Sequence, residues 1–331
     1  MPPPADERGL PPTAPRGAAG VRAPAVRAAL TPLLWLACLA SGNALSQPQD
    51  RHFDSDGVAI RYVDQGRGPA VVLVHGYTSD LESQWIATGV LQQLAAEFRV
   101  IAFDCRGHGR SDKPHDPGSY GPQMGLDIVR LLDHLGLERA HVVGYSMGAH
   151  IVAQLLTTHP HRFESATLGG GAGRRKWTAV DDLRVQTEAA EIEAGMLRMQ
   201  ILRLTPPSAP APTDSQIAAR SAQILAGQDR RALAAVRRSN PAQAVTDSQL
   251  SRIAVPLLGI VGSADPYLAD LRSLQSLQPR MQLAIVDGAT HDTAPAHPEF
   301  IRALRRFLSA HSPQPQRPQR SDVELSAVPA A

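Results

Sequence analysis

The chain reads as an α/β protein: a mostly parallel sheet covered by helices on both faces, with a small helical cap inserted in its second half. Three observations carry this. Short, continuous apolar runs of strand length alternate with amphipathic segments of helical period, the rhythm of repeated βα units. The rhythm stops between residues 174 and 250, where only helical patterns occur, and then resumes. One apolar run, 140–143, leads through Gly144-Tyr145-Ser146-Met147-Gly148 directly into a helical segment, a strand–turn–helix junction with a serine at its apex.

The first 46 residues differ from the rest. A Pro/Ala/Arg-rich stretch, 1–27, precedes the apolar run 28–40 and the small, polar stretch 41–46. Basic, then apolar, then small is the order of a secretory signal peptide, with Ala44-Leu45-Ser46 as the cleavage site and a periplasmic or secreted mature chain as the expectation. The apolar run is too short to span a bilayer. A retained amphipathic anchor is the alternative. Cys38 raises a second one, a lipid-anchored N-terminus, although Trp35-Leu36-Ala37 suits that signal poorly.

Residues 47–70 read as a leading hairpin, with a strand at 58–63 and a turn at Asp64-Gln65-Gly66. Buried strands follow at 71–74, 99–103, 140–143 and 165–168, and helices at 89–98, 123–135 and 149–158. Within the cap, 174–250, helices are expected over 181–204, 215–226 and 230–238, with a Pro/Ala linker at 206–212. Strands at 255–261 and 282–286 and a helix at 297–308 complete the pattern. The core therefore comprises 47–173 and 251–310, and the Pro/Gln/Ala-rich stretch 311–331 reads as a disordered tail.

Composition narrows the function. With 331 residues and a formal net charge of +2, the chain can bury a sizeable core and shows no electrostatic case for nucleic acid. Loss of Asp6, Glu7, Arg8, Arg16, Arg22 and Arg27 with the leader takes that charge to zero. Only Lys113 and Lys176 among the basic residues are lysines, a bias more in keeping with genome composition than with a binding patch. Cys38 and Cys105 are the only cysteines, and no Cys/His cluster has metal-ligand spacing. No metal, cofactor or protein partner is indicated; the expected partner is a small-molecule acyl substrate.

The chemistry starts from Ser146. A serine on a sharp strand-to-helix turn has its hydroxyl pushed above the sheet, and the glycines on either side let strand and helix approach closely. The other reading of the segment is a serine N-cap with turn glycines. Serine needs a base, and the base an orienting acid. Asp265 follows the strand 255–261, and His291 follows the strand 282–286, so both stand at carboxyl ends of strands, where open α/β sheets bind ligands. The order Ser146, Asp265, His291 is that of the nucleophile-elbow fold. As turn residues, Asp265 and Asp287 are open to a purely local role. His297, before Pro298 at a helix start, reads as structural, and His150 as facing the protein.

An oxyanion hole needs two donors. The loop His75-Gly76-Tyr77-Thr78 after the strand 71–74 offers the N–H of Tyr77, and the helix start offers that of Met147. His75 reads as a brace for this loop. Tyr77 and Tyr145 are candidates for contact with substrate. The segment Asp104-Cys105-Arg106-Gly107-His108-Gly109-Arg110-Ser111 reads as a structural brace, with no base indicated for Cys105.

Taken together, these segments resemble the α/β-hydrolase superfamily over roughly residues 52–310. His75-Gly76-Tyr77 resembles its oxyanion loop, Asp104 to Ser111 its D-x-R-G-x-G-x-S turn, and Gly144 to Gly148 its nucleophile elbow, while Asp265 and His291 match its acid and base. The resemblance implies a serine hydrolase. Epoxide hydrolases and haloalkane dehalogenases carry aspartate at the elbow, which Ser146 argues against. The loop also lacks the glycine-rich patterns of proline iminopeptidases, of many C–C hydrolases and of hormone-sensitive-lipase-like esterases. What remains is an esterase with a small cap, acting on an apolar or aryl carboxylic ester through an acyl-enzyme. A C–C hydrolase, a lactonase or a perhydrolase of the same fold is the alternative, and a ligand-binding member without turnover a further one.

Overall fold

The computed structural model describes residues 48–312. The expected leader lies outside them, as does the expected tail apart from His311 and Ser312.

Among the described residues ten strands occur in chain order: β1 (Arg51–Asp54), β2 (Ala59–Gln65), β3 (Ala70–Val74), β4 (Arg99–Phe103), β5 (Ala140–Tyr145), β6 (Phe163–Gly169), β7 (Arg174–Arg175), β8 (Ala244–Val245), β9 (Leu257–Gly262) and β10 (Gln282–Val286). Eight of them form one sheet in the order β1-β2-β4-β3-β5-β6-β9-β10. The β1–β2 and β2–β4 pairs are antiparallel, and every pairing from β4 to β10 is parallel. Strand order reverses at β3, which has β4 on one side and β5 on the other. In such sheets a crevice opens beyond the carboxyl ends of the two strands at the reversal. Here those ends carry His75-Gly76-Tyr77 and Ser146.

The parallel strands are continuous apolar runs because both faces are covered. Val71, Leu73, Val100 and Ala102 point to one face, against Val90 and Leu94 of α1 (Val90–Leu94) and Phe300 and Leu304 of the closing helix Pro298–His311. Val72, Val74, Ile101 and Phe103 point to the other, against α2 (Pro122–His134) and α3 (Met147–Leu155). This is the alternation of a pleated strand, used on both sides.

Between β6 and β9 lie α4 (Ala179–Glu193), α5 (Arg198–Leu204), α6 (Asp214–Leu225) and α7 (Arg230–Arg238), followed by the short α8 (Asp247–Ser251). This insertion has an apolar cluster of its own, with Ile192, Leu197, Ile201, Ile217 and Leu233 at its centre. Its helices start where their sequences allow: Thr178 and Asp181 form a capping box on α4, Thr213 and Gln216 another on α6, and Asp229 caps α7.

The structure departs from the sequence reading at identifiable places. The helix expected over 181–204 is two helices, broken where Gly195 takes a left-handed φ of +86° that an L-residue adopts only with strain. The stretch 174–250 does contain strand, the parallel pair β7–β8, which is only two residues long and so leaves no periodicity to read. The helix α9 (Leu268–Leu277) between β9 and β10 is an element the apolar-run reading does not contain, though Leu271 and Leu274 keep helical spacing and are buried. The closing helix, α10 (Pro298–His311), runs three residues beyond its expected end and takes in the first residue of the expected tail. Among the described residues no helix is long and apolar enough to cross a membrane.

Candidate active site

Ser146 occupies the turn between β5 and α3 with φ +53° and ψ −112°, a conformation costly for a residue with a Cβ. The surrounding packing imposes it. A Cβ on Gly144 would stand 2.3 Å from the carbonyl oxygen of Gly148, and one on Gly148 would stand 2.2 Å from that of Val74. Glycine is therefore obligatory at both positions, and the strand end and helix start close on one another. The Ser146 N–H donates to the Gly169 carbonyl at 2.7 Å, anchoring the turn to the end of β6.

His291 and Asp265 meet this serine although they are 145 and 119 residues away in the chain. His291 Nδ1 lies 2.9 Å from Asp265 Oδ2, and its Nε2 lies 2.9 Å from Ser146 Oγ. An ionised carboxylate only accepts, so Nδ1 is the donor in the neutral ring and Nε2 accepts from the serine hydroxyl. The Asp265 side chain is fully buried and its Oδ1 accepts from the Tyr267 N–H at 2.9 Å, so both oxygens are held. The Tyr267 ring stands beside the imidazole with centroids 5.4 Å apart. Tyr145 is buried on the other side of the imidazole, its ring 5.3 Å from that of His291 and its hydroxyl donating to the His291 carbonyl at 2.6 Å.

The remaining expected residues fall around the same spot. His75 is buried, accepts from the Cys105 N–H at 2.9 Å and directs its Nδ1 to the Gly76 carbonyl at 2.7 Å. Asp104 accepts from the Leu81 N–H and the Arg110 N–H, so the turn from Asp104 to Ser111 ties down both the loop after β3 and itself. Burial pushes the Cys105 thiol well above its ordinary value. Among the described residues no protein group accepts from the N–H of Tyr77 or of Met147, and both residues line the cavity that contains Ser146. The Tyr77 hydroxyl donates to the Leu233 carbonyl of α7 at 2.7 Å, so this side chain joins the sheet domain to the insertion. His297 caps α10 by accepting from the Glu299 N–H. Asp287 accepts from Ser263 Oγ at 3.3 Å, which ties its turn to the loop after β9 rather than serving a purely local role. His150, expected to face the protein, instead lines the cavity and is half-buried; burial, reinforced by Arg174, His291 and Arg237, holds its pKa well below the ordinary value, and its Nδ1 has no partner among the described residues.

The cavity has a volume of about 1140 Å³ and is lined on the far side by residues of the insertion. Its lining is more charged than the apolar expectation: Arg174, Arg184, Arg203 and Arg237 all contribute. Glu188, buried beneath them, accepts from Arg184 and Arg203 and pairs with Arg237 at 2.9 Å. Burial raises the Glu188 pKa, but Arg237 and Arg203 outweigh it and hold the carboxyl below its usual value. Arg237 also lies over the Tyr77 ring, 4.1 Å from its centroid, and donates to Gln200 at 3.1 Å. None of these residues stood out in the sequence. The one local sign was the basic run Arg174-Arg175-Lys176 shortly beyond a strand end. Among the described residues no cluster of three His, Cys, Asp or Glu side chains is arranged to hold a metal ion.

Comparison with known proteins bears on the fold. The family described as alpha/beta hydrolase fold matches residues 69–292. The chain is 31% identical over 279 residues to the 2-hydroxy-6-oxononadienedioate/2-hydroxy-6-oxononatrienedioate hydrolase of Paraburkholderia xenovorans strain LB400, covering 77% of this chain and 93% of that one. It is 40% identical over 121 residues to the dihydrolipoyllysine-residue acetyltransferase component of the acetoin cleaving system of Cupriavidus necator, where the match spans 36% of this chain and 31% of the relative's length. In structure it superposes on a bromoperoxidase from Bacillus anthracis with a TM-score of 0.63 at 22% identity, covering 79% of this chain and all of the other.

Proposed function

This chain belongs to the α/β-hydrolase fold family, and we propose that within it the protein is a serine hydrolase that cleaves a carboxylic ester through an acyl-enzyme on Ser146. One observation carries the reading: the unbroken hydrogen-bonded run from Asp265 Oδ2 through His291 to Ser146 Oγ, each contact 2.9 Å, at the floor of a cavity.

Ser146 Oγ attacks the acyl carbonyl while His291 Nε2 takes its proton. Asp265 holds the ring with Nδ1–H toward the carboxylate and stabilises the imidazolium that forms. The free N–H groups of Tyr77 and Met147 receive the developing oxyanion, a contribution typically worth about 10²–10³ in rate per donor. The protonated His291 then gives its proton to the departing alcohol. In the second half a water attacks the acyl-enzyme, with His291 again as base, and the acid leaves. The helices of the insertion act as the cap that closes the cavity. In the wider setting, we take the chain to be exported, on the strength of its first 46 residues.

The test is to treat the purified protein with a fluorophosphonate and with p-nitrophenyl esters of increasing acyl length. Labelling at Ser146 and turnover that Ser146→Ala abolishes are the expected results. Full esterase activity in Ser146→Ala overturns the reading. The named activity of the Paraburkholderia relative favours one alternative, hydrolytic cleavage of a C–C bond by the same serine. A dienedioate substrate turned over far faster than any ester would select it.

A further inference from the structure

The cavity wall holds a positive charge that no carboxylate among the described residues neutralises. Arg184, Arg203 and Arg237 share Glu188, and Arg184 also reaches Asp181. Arg175 pairs with Asp247, and Arg220 with Asp292. Asp270, also on the lining, feels mainly Arg175 and Lys176 among the basic groups. Arg174 stands apart. Its Nε donates to the neutral Gln243 at 3.2 Å, and among the described residues no carboxylate pairs with it. Its surroundings are unfavourable to the charge: burial, followed by the neighbouring Arg237, brings its pKa down to about 9, which still leaves it cationic at neutral pH.

A guanidinium facing a cavity with its charge uncompensated is costly unless an anion visits. The fork at its end matches a carboxylate in two parallel hydrogen bonds. A second donor is held in the same wall. Asn240 is 1% exposed, lines the cavity, and its Nδ2 has no partner. The two lie on opposite flanks of the insertion: Arg174 belongs to β7, and Asn240 lies a few residues before β8, which pairs with β7. The ladder that ties the ends of the insertion together thus also keeps both donors beside the cavity that opens on Ser146.

We propose that Arg174, supported by Asn240 and Arg237, is a carboxylate-binding subsite, and that the substrate carries a free carboxylate in addition to the acyl group presented to Ser146. This rests on the serine-hydrolase reading and replaces the apolar or aryl ester expected from sequence with an anionic one. An apolar ester leaves Arg174 unpaired; a half-ester of a dicarboxylic acid pairs it.

The experiment compares substrates matched in size. One pair is p-nitrophenyl hemiglutarate and p-nitrophenyl pentanoate, with the carboxylate on the acyl side. The other is 4-acetoxybenzoate and 4-acetoxybenzamide, with the carboxylate on the leaving group. The wild type is expected to favour the charged member of one pair in kcat/KM. Arg174→Met should reduce that preference by about 10- to 100-fold, the loss expected for one charge-assisted hydrogen bond, and Arg174→Lys should recover part of it. Ser146-dependent hydrolysis with no preference in either pair overturns the subsite and leaves the function standing. If no ester is turned over and Ser146 is not labelled, the function reading fails, and melting curves with free glutarate decide the subsite. Glutarate stabilising the wild type but not Arg174→Met supports it. Equal shifts, no shift, or stabilisation by inorganic phosphate alone overturn the carboxylate assignment.

Discussion

The Tyr145 hydroxyl donates to the backbone carbonyl of His291 at 2.6 Å. The residue just before the serine thus holds the loop that carries His291, so the strand-to-helix turn and the imidazole are positioned as one unit. Tyr145→Phe deletes that donor and leaves a buried carbonyl with one partner fewer, a loss of about 1 kcal/mol. We expect kcat to fall by roughly 3- to 10-fold with KM little changed, because the base and not the binding surface is displaced. Steady-state kinetics on a p-nitrophenyl ester provide the check, and an unchanged kcat would show that Asp265 alone suffices to place the ring.

Ser146→Ala and Asp265→Asn test the two ends of the hydrogen-bonded run. The first should lower kcat by roughly 10⁴–10⁶ and abolish fluorophosphonate labelling. The second keeps the shape of the side chain but invites the wrong His291 tautomer, since an amide nitrogen facing Nδ1 donates where the carboxylate accepts; about 10⁴ in kcat is the expected loss. Melting temperatures near that of the wild type would confirm that chemistry, not folding, is affected.

Acid should destabilise the fold before it touches the carboxylates. Burial brings His108 down to about 3 and His141 down to about 4, against an ordinary value of about 6.5. Between those values the unfolded chain binds protons that the folded chain refuses, so stability is full above about pH 6.5 and falls as pH drops. His141 bridges Ser165 and Ser312, and glutamine can keep hydrogen bonds there without titrating. Denaturant titrations between pH 7 and 4 should show a shallower fall for His141→Gln, by up to about 1.4 kcal/mol per pH unit. Parallel curves for the two proteins would exclude His141 as a contributor.

Gly148→Ala should damage the fold more than its one methyl suggests. The added Cβ would stand 2.2 Å from the Val74 carbonyl oxygen and 2.9 Å from that of His75, both backbone atoms that cannot turn aside. A cost of about 3 kcal/mol or more is expected, read as a lower denaturant midpoint. Gly136→Ala is a useful contrast: a Cβ there meets nothing within 4 Å, and only its φ of +65° opposes the change.

Much of this protein is written locally. Strand and helix patterns mark out the sheet, because a strand buried on both faces must be apolar throughout and a covering helix must be apolar on one side. Ser146, Asp265 and His291 are legible because each follows a strand, and the parallel sheet brings carboxyl ends to one edge. Elements without a period escape such a reading, as β7–β8 does with its two residues.

Tertiary structure alone decided the character of the cavity. In sequence the charges nearly cancel, and Arg174, Arg184, Arg203 and Arg237 are scattered over 64 residues. Folding gathers them at the cavity, three of them on the buried Glu188, and leaves Arg174 without a counter-charge among the described residues. The chain order determined where Ser146 stands. Which charges face it depends on distances between side chains remote in sequence, and Coulomb energies follow those distances in space.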